Sequence, residues 1–256
     1  MGVRTFDARD FDAGGLVGAK GGRRVSVCLP ARDEEATVGA IVARVRSALV
    51  ERVALVDEVL VVDDGSTDGT AAEATAAGAR VVRRGAADGP PGKGQALRRA
   101  VEEATGDVLV FLDADVRNFD VHFVVGLLGP VLTEPGLALV KATYRRPLVG
   151  SDGPGGRVTE LVARPLLARL FPELAEVTQP LAGECAAPRA VLEAVPFADG
   201  YGVEVGLLID VAARCGTGAL AQVDLGERVH RNRPLDELAP QAAAVLDVVL
   251  DRAGVR

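Results

Sequence analysis

The sequence contains no tryptophan. It also contains almost no lysine, so arginine supplies nearly all of its positive charge. Its formal net charge is −7 at pH 7. A protein that binds mainly to a phosphate backbone needs a clustered basic face, which this charge balance does not favour. The composition therefore argues against nucleic acid as a partner, although it allows a local basic pocket for a small anion.

Long apolar runs are also missing. No window of the sequence approaches the ~18 to 20 apolar residues that span a bilayer, and the N-terminus lacks the basic and apolar segments of a signal peptide. We therefore expect a cytoplasmic protein without a membrane partner. Cysteine is scarce as well: Cys28, Cys185 and Cys215 lie far apart, without the spacing of a zinc or redox motif. All three are predicted to be reduced thiols.

A chain of 256 residues with 48% hydrophobic content is long enough for one well-buried core. Residues 1–24 mix Asp, Gly and Arg without a sustained period, which predicts a flexible, loosely attached N-terminal arm. Residues 25–256 are expected to form a single domain.

From residue 25 onward, predicted strands and helices alternate. Apolar runs at 25–29, 59–62, 79–82 and 108–112 are separated by helical patterns at 36–50, 66–77 and 96–104. Such alternation predicts a mainly parallel central sheet with helices on both faces, and a ligand crevice beyond the carboxyl ends of the strands. The later pattern is less regular, with strands at 138–144 and 219–225 and helices near 120–128, 158–170, 188–194, 203–215 and 235–252.

Acidic residues stand at two of these strand ends. Asp113 and Asp115 follow the apolar run 108–112, and a second cluster, 63–68, follows the run 59–62. Two carboxylates on one side of an extended chain can share Mg²⁺ or Mn²⁺, which also binds substrate phosphates. One Asp pair alone would be explained as well by a solvated turn. Two acidic clusters opening on one crevice favour a nucleotide site.

Three motifs indicate a particular class of nucleotide-binding protein. The sequence P-A-R-D-E-E at 30–35, the turn D-D-G-S-T-D at 63–68 and the D-A-D strand end at 113–115 resemble the GT-A glycosyltransferases. Further segments resemble the glucosyl-3-phosphoglycerate synthase family, and the G-G-R-V-T-E-L-V-A-R-P string at 155–165 is the strongest of them. The others lie at 92–94, 144–147, 200–204 and 230–234.

The resemblance implies a Rossmann-like GT-A fold of the α/β class and a retaining transfer of glucose from UDP-glucose to the 2-hydroxyl of D-3-phosphoglycerate. It also implies Mg²⁺ or Mn²⁺ as cofactor and a homodimer. Under this hypothesis residues 25–120 form the nucleotide-sugar half, 121–234 form the acceptor half and 235–256 form a C-terminal helix.

The resemblance also assigns site residues. For the nucleotide sugar it implies Pro30, Ala31, Glu34, Ser66, Lys93, Asp113 and Ala114, and for the metal it implies Asp115 and His230. His230 is one of two histidines and follows a late predicted strand, where a ring nitrogen could complete a carboxylate-rich metal site. A lone histidine without such a resemblance is more often structural.

The acceptor site is predicted from a glycine-rich turn that leads into a helix. Backbone amides at a helix N-terminus, together with an arginine and a hydroxyl, suit a phosphate. For 3-phosphoglycerate the prediction comprises Gly156, Arg157, Val158, Thr159, Tyr201 and Asn232. Glu204, which opens the helix 203–215, and Asp115 are the predicted catalytic residues, although an acid in a first helical turn is also favourable for structural reasons alone.

Three alternatives stay open at this point. Another GT-A enzyme, of the mannosyl-3-phosphoglycerate or polyprenyl-phosphate type, would share the same motifs. A sugar-1-phosphate nucleotidyltransferase would normally carry an early glycine-rich loop, which is missing from residues 25–35. A catalytically silent nucleotide-binding protein on the same fold would bind UDP without turnover.

Overall fold

The computed structural model describes residues 2–85, 92–145, 156–229 and 235–255. Within this part of the chain, eight strands form one sheet in the order β1-β8-β6-β7-β5-β2-β3-β4. The strands are β1 (Arg4–Asp7), β2 (Val25–Ala31), β3 (Glu58–Asp63), β4 (Arg80–Arg83), β5 (Val108–Phe111), β6 (Leu139–Arg145), β7 (Cys185–Pro188) and β8 (Leu220–Glu227). All pairs are parallel except those of β7, which runs antiparallel to β5 and β6.

Helices cover both faces of the sheet. They are α1 (Ala13–Lys20), α2 (Val38–Val45), α3 (Thr70–Ala76), α4 (Lys93–Glu103), α5 (His122–Thr133), α6 (Arg164–Leu170), α7 (Arg189–Glu193), α8 (Val203–Cys215) and α9 (Leu235–Arg252). Because strand side chains alternate between faces, Val27 and Leu29 pack with α1, α2, α3 and α5, whereas Cys28 packs with α4, α8 and α9. The predicted mainly parallel α/β sheet is confirmed.

The N-terminal segment differs from the expectation of a loosely attached arm. β1 pairs with β8 along the sheet edge, and α1 packs against α5. The side chain of Asp12 caps α1 by accepting from the amide of Gly15 at 2.9 Å. β1 escaped prediction because an edge strand with a polar, partly exposed sequence gives little hydrophobic alternation.

Several element boundaries also differ. The helix predicted at 36–50 is α2 continued by a wider π-helical segment, Arg46–Arg52. The helical pattern predicted from residue 66 begins later in the structure. Ser66 and Thr67 lie in a turn, and α3 starts at Thr70, whose amide donates to Asp68 Oδ1 at 2.9 Å. The predicted bounds of α8 and α9 are confirmed.

The register brings three strand ends to one edge of the sheet. Ala31 of β2 pairs with Asp63 of β3, and Cys28 of β2 pairs with Phe111 of β5. The carboxyl ends of parallel neighbours open on the same crevice. The predicted acidic clusters therefore lie side by side. In the described part of the chain, none of the helices is long and apolar enough to cross a membrane.

Candidate active site

A cleft that opens to solvent lies beyond these strand ends. It is lined by Pro30, Ala31, Arg32, Glu34, Asp64, Lys93, Ala96, Asp113, Ala114, Asp115 and Tyr201. Most of the residues predicted for the nucleotide sugar therefore share one surface, together with Tyr201 from the acceptor prediction. A mixed lining of apolar and charged groups at a strand-end crevice is typical of a nucleotide-sugar site.

Lys93 joins two of the predicted site carboxylates. It is the first residue of α4, and its Nζ lies 2.6 Å from Asp113 Oδ1 and 2.7 Å from Glu204 Oε1. Burial alone would lower the pKa of Lys93, but Asp113 and Glu204 outweigh it and raise the pKa well above its ordinary value. Lys93 is therefore a permanent cation between the β5 strand end and the start of α8.

Arg228 holds the two aspartates of the D-A-D motif. Its Nη2 donates to Asp113 Oδ2 at 2.7 Å and to Asp115 Oδ1 at 2.9 Å. The residue follows β8, and its side chain is only 3% exposed. Arg228 could not be predicted from the sequence, because one arginine among many carries no local signal of its role. A guanidinium with several fixed donors suits this bridging position.

The backbone of Gly183 packs against the same charges. A Cβ atom on Gly183 would lie 2.3 Å from Asp113 Oδ1 and 2.5 Å from Lys93 Nζ. Such distances are incompatible with any side chain unless the charged groups move. The loop before β7 therefore packs directly against the Lys93–Asp113 ion pair.

The loop 32–35 and the turn 63–68 lock together at the other end of the cleft. The amide of Asp33 donates to Ser66 Oγ at 3.0 Å, and the amide of Thr67 donates to Asp33 Oδ1 at 2.8 Å. Ser66 therefore binds the backbone of the loop 32–35, and it is not among the residues that line the cleft. Asp64, which the sequence analysis did not assign, lines it instead and forms a buried ion pair with Arg84.

The predicted acceptor residues lie at the start of the helical segment before α6. Gly156 precedes helical residues from 157 onward, and its carbonyl accepts from the amide of Glu160 at 3.0 Å. Arg157 is exposed, whereas Thr159 is 3% exposed. The helix predicted at 158–170 is π-helical over Thr159–Ala163 and α-helical over Arg164–Leu170. His230 and Asn232 lie outside the described residues.

The donor atoms at the cleft fit a hard divalent cation at Asp115 better than at Asp113. Both oxygens of Asp113 are engaged by Lys93 and Arg228, whereas Asp115 is 27% exposed and uses Oδ1 for Arg228. Carboxylate oxygens are the ligands that Mg²⁺ and Mn²⁺ prefer. Within the described residues no group of three or more His, Cys, Asp and Glu side chains surrounds a common point, so Asp115 would need ligands from the substrate or from residues outside those ranges.

Comparison with known proteins agrees with this geometry. A protein-family model described as glycosyl transferase family 2 matches residues 26–144. That range covers the β2-to-β6 half of the sheet and all the lining residues of the cleft except Tyr201. The fold and the site define a GT-A glycosyltransferase.

Relatives that match nearly the whole chain identify the family within this class. The glucosyl-3-phosphoglycerate synthase of Mycobacterium tuberculosis (strain ATCC 25618 / H37Rv) is 53% identical over 262 residues, covering 98% of this chain and 80% of the relative. That of Petrotoga mobilis is 42% identical over 239 residues, covering 90% of this chain and 73% of the relative. The chain belongs to the glucosyl-3-phosphoglycerate synthase family.

A solved structure supports the same conclusion. The crystal structure of the M. tuberculosis synthase in complex with Mn²⁺, UDP-glucose and phosphoglyceric acid superposes with a TM-score of 0.91 at 50% identity, covering 99% of this chain and 88% of that chain. A further structure of that enzyme holds Mg²⁺ and UDP. The predicted family and fold are confirmed.

Proposed function

We propose that this protein transfers glucose from UDP-glucose to the 2-hydroxyl of D-3-phosphoglycerate, releasing UDP and forming glucosyl-3-phosphoglycerate. The observation that carries the proposal is the set of charges at the cleft. Lys93, Asp113 and Asp115 line it, and Lys93 also pairs with the buried Glu204. This cluster lies on a chain that matches, over nearly its full length, an enzyme solved with all three ligands.

The residues have distinct roles in this proposal. Pro30, Ala31 and Glu34 border the nucleoside, and Asp113, held by Lys93 and Arg228, binds the ribose. Asp115 and His230 hold Mg²⁺ or Mn²⁺, which when bound stabilises negative charge on the diphosphate. Ser66 acts from behind by holding the backbone of Asp33.

Acceptor binding would use the helix start at 156–159. The amides of the first turn have no partner within a helix, and they face outward with the positive end of the helix dipole. Arg157 adds a fork of donors, and Thr159 and Asn232 add polar groups for the phosphate or carboxylate of the acceptor. Tyr201 lines the cleft before α8 and would contact the transferred sugar or the acceptor.

The bond changes in the proposed transfer balance without an enzyme-bound intermediate. The 2-hydroxyl oxygen of the acceptor bonds to the anomeric carbon while the bond from that carbon to the diphosphate oxygen breaks. The hydroxyl proton passes to a phosphate oxygen of the departing UDP. The carboxylate of Glu204 is paired with Lys93, so its role is to orient hydroxyl groups while the protein supplies position and charge stabilisation.

A matrix of donors and acceptors with product analysis tests the function. We expect UDP release and a new glycoside only when UDP-glucose, 3-phosphoglycerate and a divalent cation are all present. Glycerate without its phosphate should be a poor acceptor. Transfer of mannose in preference to glucose would favour the mannosyl alternative, and binding of UDP without turnover would favour a non-catalytic protein.

The proposal also includes a cytoplasmic homodimer, which rests on the family resemblance alone. Light scattering coupled to gel filtration measures the mass in solution. A mass near that of one 26.5 kDa chain would contradict the dimer.

A further inference from the structure

Arg228 contacts a buried polar network in addition to Asp113 and Asp115. Glu184 is fully buried at the entrance to β7, and its Oε1 lies 2.7 Å from Arg228 Nε. The two groups form a buried ion pair. The hydroxyl of Tyr144 donates to the other carboxylate oxygen, Oε2, at 2.9 Å.

Tyr144 also contacts the guanidinium directly. Its ring centre lies 5.3 Å from Arg228 Cζ, within the range of a cation–π contact. Its backbone carbonyl accepts from the side-chain amide of Gln179. The amide of Arg228 donates to the carbonyl of Arg145, the next residue of β6, at 3.0 Å. Strand β6 and the loop before β7 thus fix the arginine from two sides.

The charges around Arg228 do not cancel. One guanidinium faces three carboxylates: the buried Glu184, and Asp113 and Asp115 at the cleft. Lys93 and Glu204 compensate each other. The buried Lys141 interacts electrostatically with Glu184 and Glu204 and adds a third cation, so the four carboxylates still outnumber the cations, and a divalent cation would offset this excess. Glu184 supplies one of these charges without reaching the cleft itself.

We infer that Glu184 is a positioning residue for the metal site, acting through Arg228, and that Tyr144 holds Glu184 in place. Glu184 fixes the guanidinium of Arg228 and offsets part of its positive charge. Nη2 can then bridge Asp113 and Asp115 while the two aspartates keep most of their negative charge for the cation. Without Glu184, Arg228 would carry its full charge towards Asp115 and compete with the cation. The inference rests on the proposed use of Asp115 as a metal ligand.

The direct test measures Mn²⁺ binding in the presence of UDP, using the electron paramagnetic resonance signal of free Mn²⁺, which requires no turnover. Glu184→Gln keeps the shape and removes the charge. We expect it to weaken Mn²⁺ binding by about tenfold, the lower end of the effect seen when a direct partner of a metal ligand is lost, because Glu184 acts through Arg228. The KM for 3-phosphoglycerate should change little. Unchanged Mn²⁺ affinity in a folded Glu184→Gln protein would overturn the inference.

A double substitution separates positioning from a general effect of charge. In an Arg228→Met background, Glu184→Gln should no longer weaken Mn²⁺ binding, because the residue through which it acts is gone. An equal loss in both backgrounds would overturn the role of Arg228. If Glu184→Gln does not fold, Tyr144→Phe decides: a loss of Mn²⁺ affinity in the same direction supports the inference, and no loss overturns it.

A control addresses loss of stability. Ser26 is also fully buried and hydrogen-bonded, to Glu58 and to the amide of Gly106, at the opposite end of the sheet. Ser26→Ala should lower the free energy of unfolding without changing Mn²⁺ affinity.

The proposed function and this inference can fail separately. If the wild type binds Mn²⁺ with UDP but transfers no glucose, the proposed function fails, while the Mn²⁺ affinities of the variants still decide the inference. A wild type that binds no Mn²⁺ overturns the inference.

Discussion

The α-carbon of Gly183 faces the carboxylate of Asp113 so closely that an added Cβ would lie 2.3 Å from Oδ1. Only glycine leaves room for the oxygen that accepts from Lys93. Gly183→Ala should therefore displace Asp113 or Lys93 and lower kcat/KM by about 100-fold, the scale expected for a misplacement of about 1 Å at a catalytic site. Steady-state kinetics with UDP-glucose and 3-phosphoglycerate measure it.

Gly18 provides the matched control. It lies on the exposed side of α1, and a Cβ there would meet nothing within 4 Å. Gly18→Ala should leave kinetics unchanged and raise the free energy of unfolding by about 0.4 to 1 kcal/mol, because alanine has less conformational entropy to lose. Wild-type kcat/KM in Gly183→Ala would show that the cleft tolerates the displacement.

The second prediction concerns the metal. Chelation should abolish turnover, and Mg²⁺ or Mn²⁺ should restore it. Asp115→Ala and His230→Ala should each lose most of the activity while remaining folded, because polar side chains at strand ends contribute little to core packing. Asp247→Ala, on the exposed surface of α9, should retain full activity. Full turnover in metal-free buffer would rule out a catalytic cation.

The parallel part of the sheet could be predicted because its central strands are uninterrupted apolar runs. β7 could not, since Cys185–Pro188 has four residues and ends at a proline, and its antiparallel pairing depends on strands far away in sequence. The acidic residues at the strand ends could likewise be predicted, because they directly follow β3 and β5 in the sequence. The side chains that pair with them from other parts of the fold could not be predicted.

Arg228 shows why the site was only partly predictable. It is separated from Asp113 by 115 positions and from Glu184 by two strands, β7 and β8, and two helices, α7 and α8, so nothing local distinguishes it from other arginines. The residues taken from motifs, such as Lys93 and Glu204, reach the site, but their mutual ion pair appears only once α4 and α8 are packed. Motifs identify chemistry, whereas long-range packing decides which charges meet.

The third prediction tests the acceptor site. Arg157→Ala should raise the KM for 3-phosphoglycerate by about tenfold or more, because hydrogen bonds to a charged group contribute roughly 1.5 to 3 kcal/mol. The KM for UDP-glucose should change little. Arg164, which pairs with Glu160 at 2.9 Å in the same helical segment, is the control, and Arg164→Ala should leave both KM values near those of the wild type. Equal weakening of donor and acceptor would show that Arg157 is not specific for the acceptor.

The fourth prediction uses the buried Lys141. Its side chain donates to the carbonyl of Ala182 at 2.8 Å, and burial lowers its pKa. A lysine whose pKa is lowered by folding destabilises the native state fully below its folded pKa. That penalty disappears as the pH rises towards the unfolded value of about 10.4. The stability of the wild type relative to Lys141→Met should therefore increase between pH 7 and pH 10.

Urea denaturation of the two proteins at several pH values measures this difference. Other titrating groups are common to both proteins, so their contributions largely cancel in the comparison. A difference that stays constant from pH 7 to pH 10 would mean that burial does not lower the pKa of Lys141 within this range.

The last prediction is stereochemical. A retaining transfer through two displacements needs a carboxylate nucleophile at the far face of the anomeric carbon. Among the described carboxylates that line the cleft, Asp113, Asp115 and Asp64 are ion-paired with Lys93, Arg228 and Arg84, and Glu34 is assigned to the nucleoside. Glu204, at the start of α8, is the candidate that the sequence suggests, but it is ion-paired with Lys93 as well. Same-face attack without a covalent intermediate fits this arrangement better.

The product should therefore be the α-glucoside, and proton NMR of the freshly formed product identifies the anomer. A β-linkage would contradict retention. Glu204→Gln tests the mechanism separately, because glutamine can still orient hydroxyl groups but cannot serve as a nucleophile. We expect substantial residual activity in this variant, whereas a two-displacement enzyme would lose nearly all of it. Mass spectrometry of the wild type during turnover gives the opposing result a clear signature: a glucosylated Glu204 peptide would establish a covalent intermediate and exclude same-face attack.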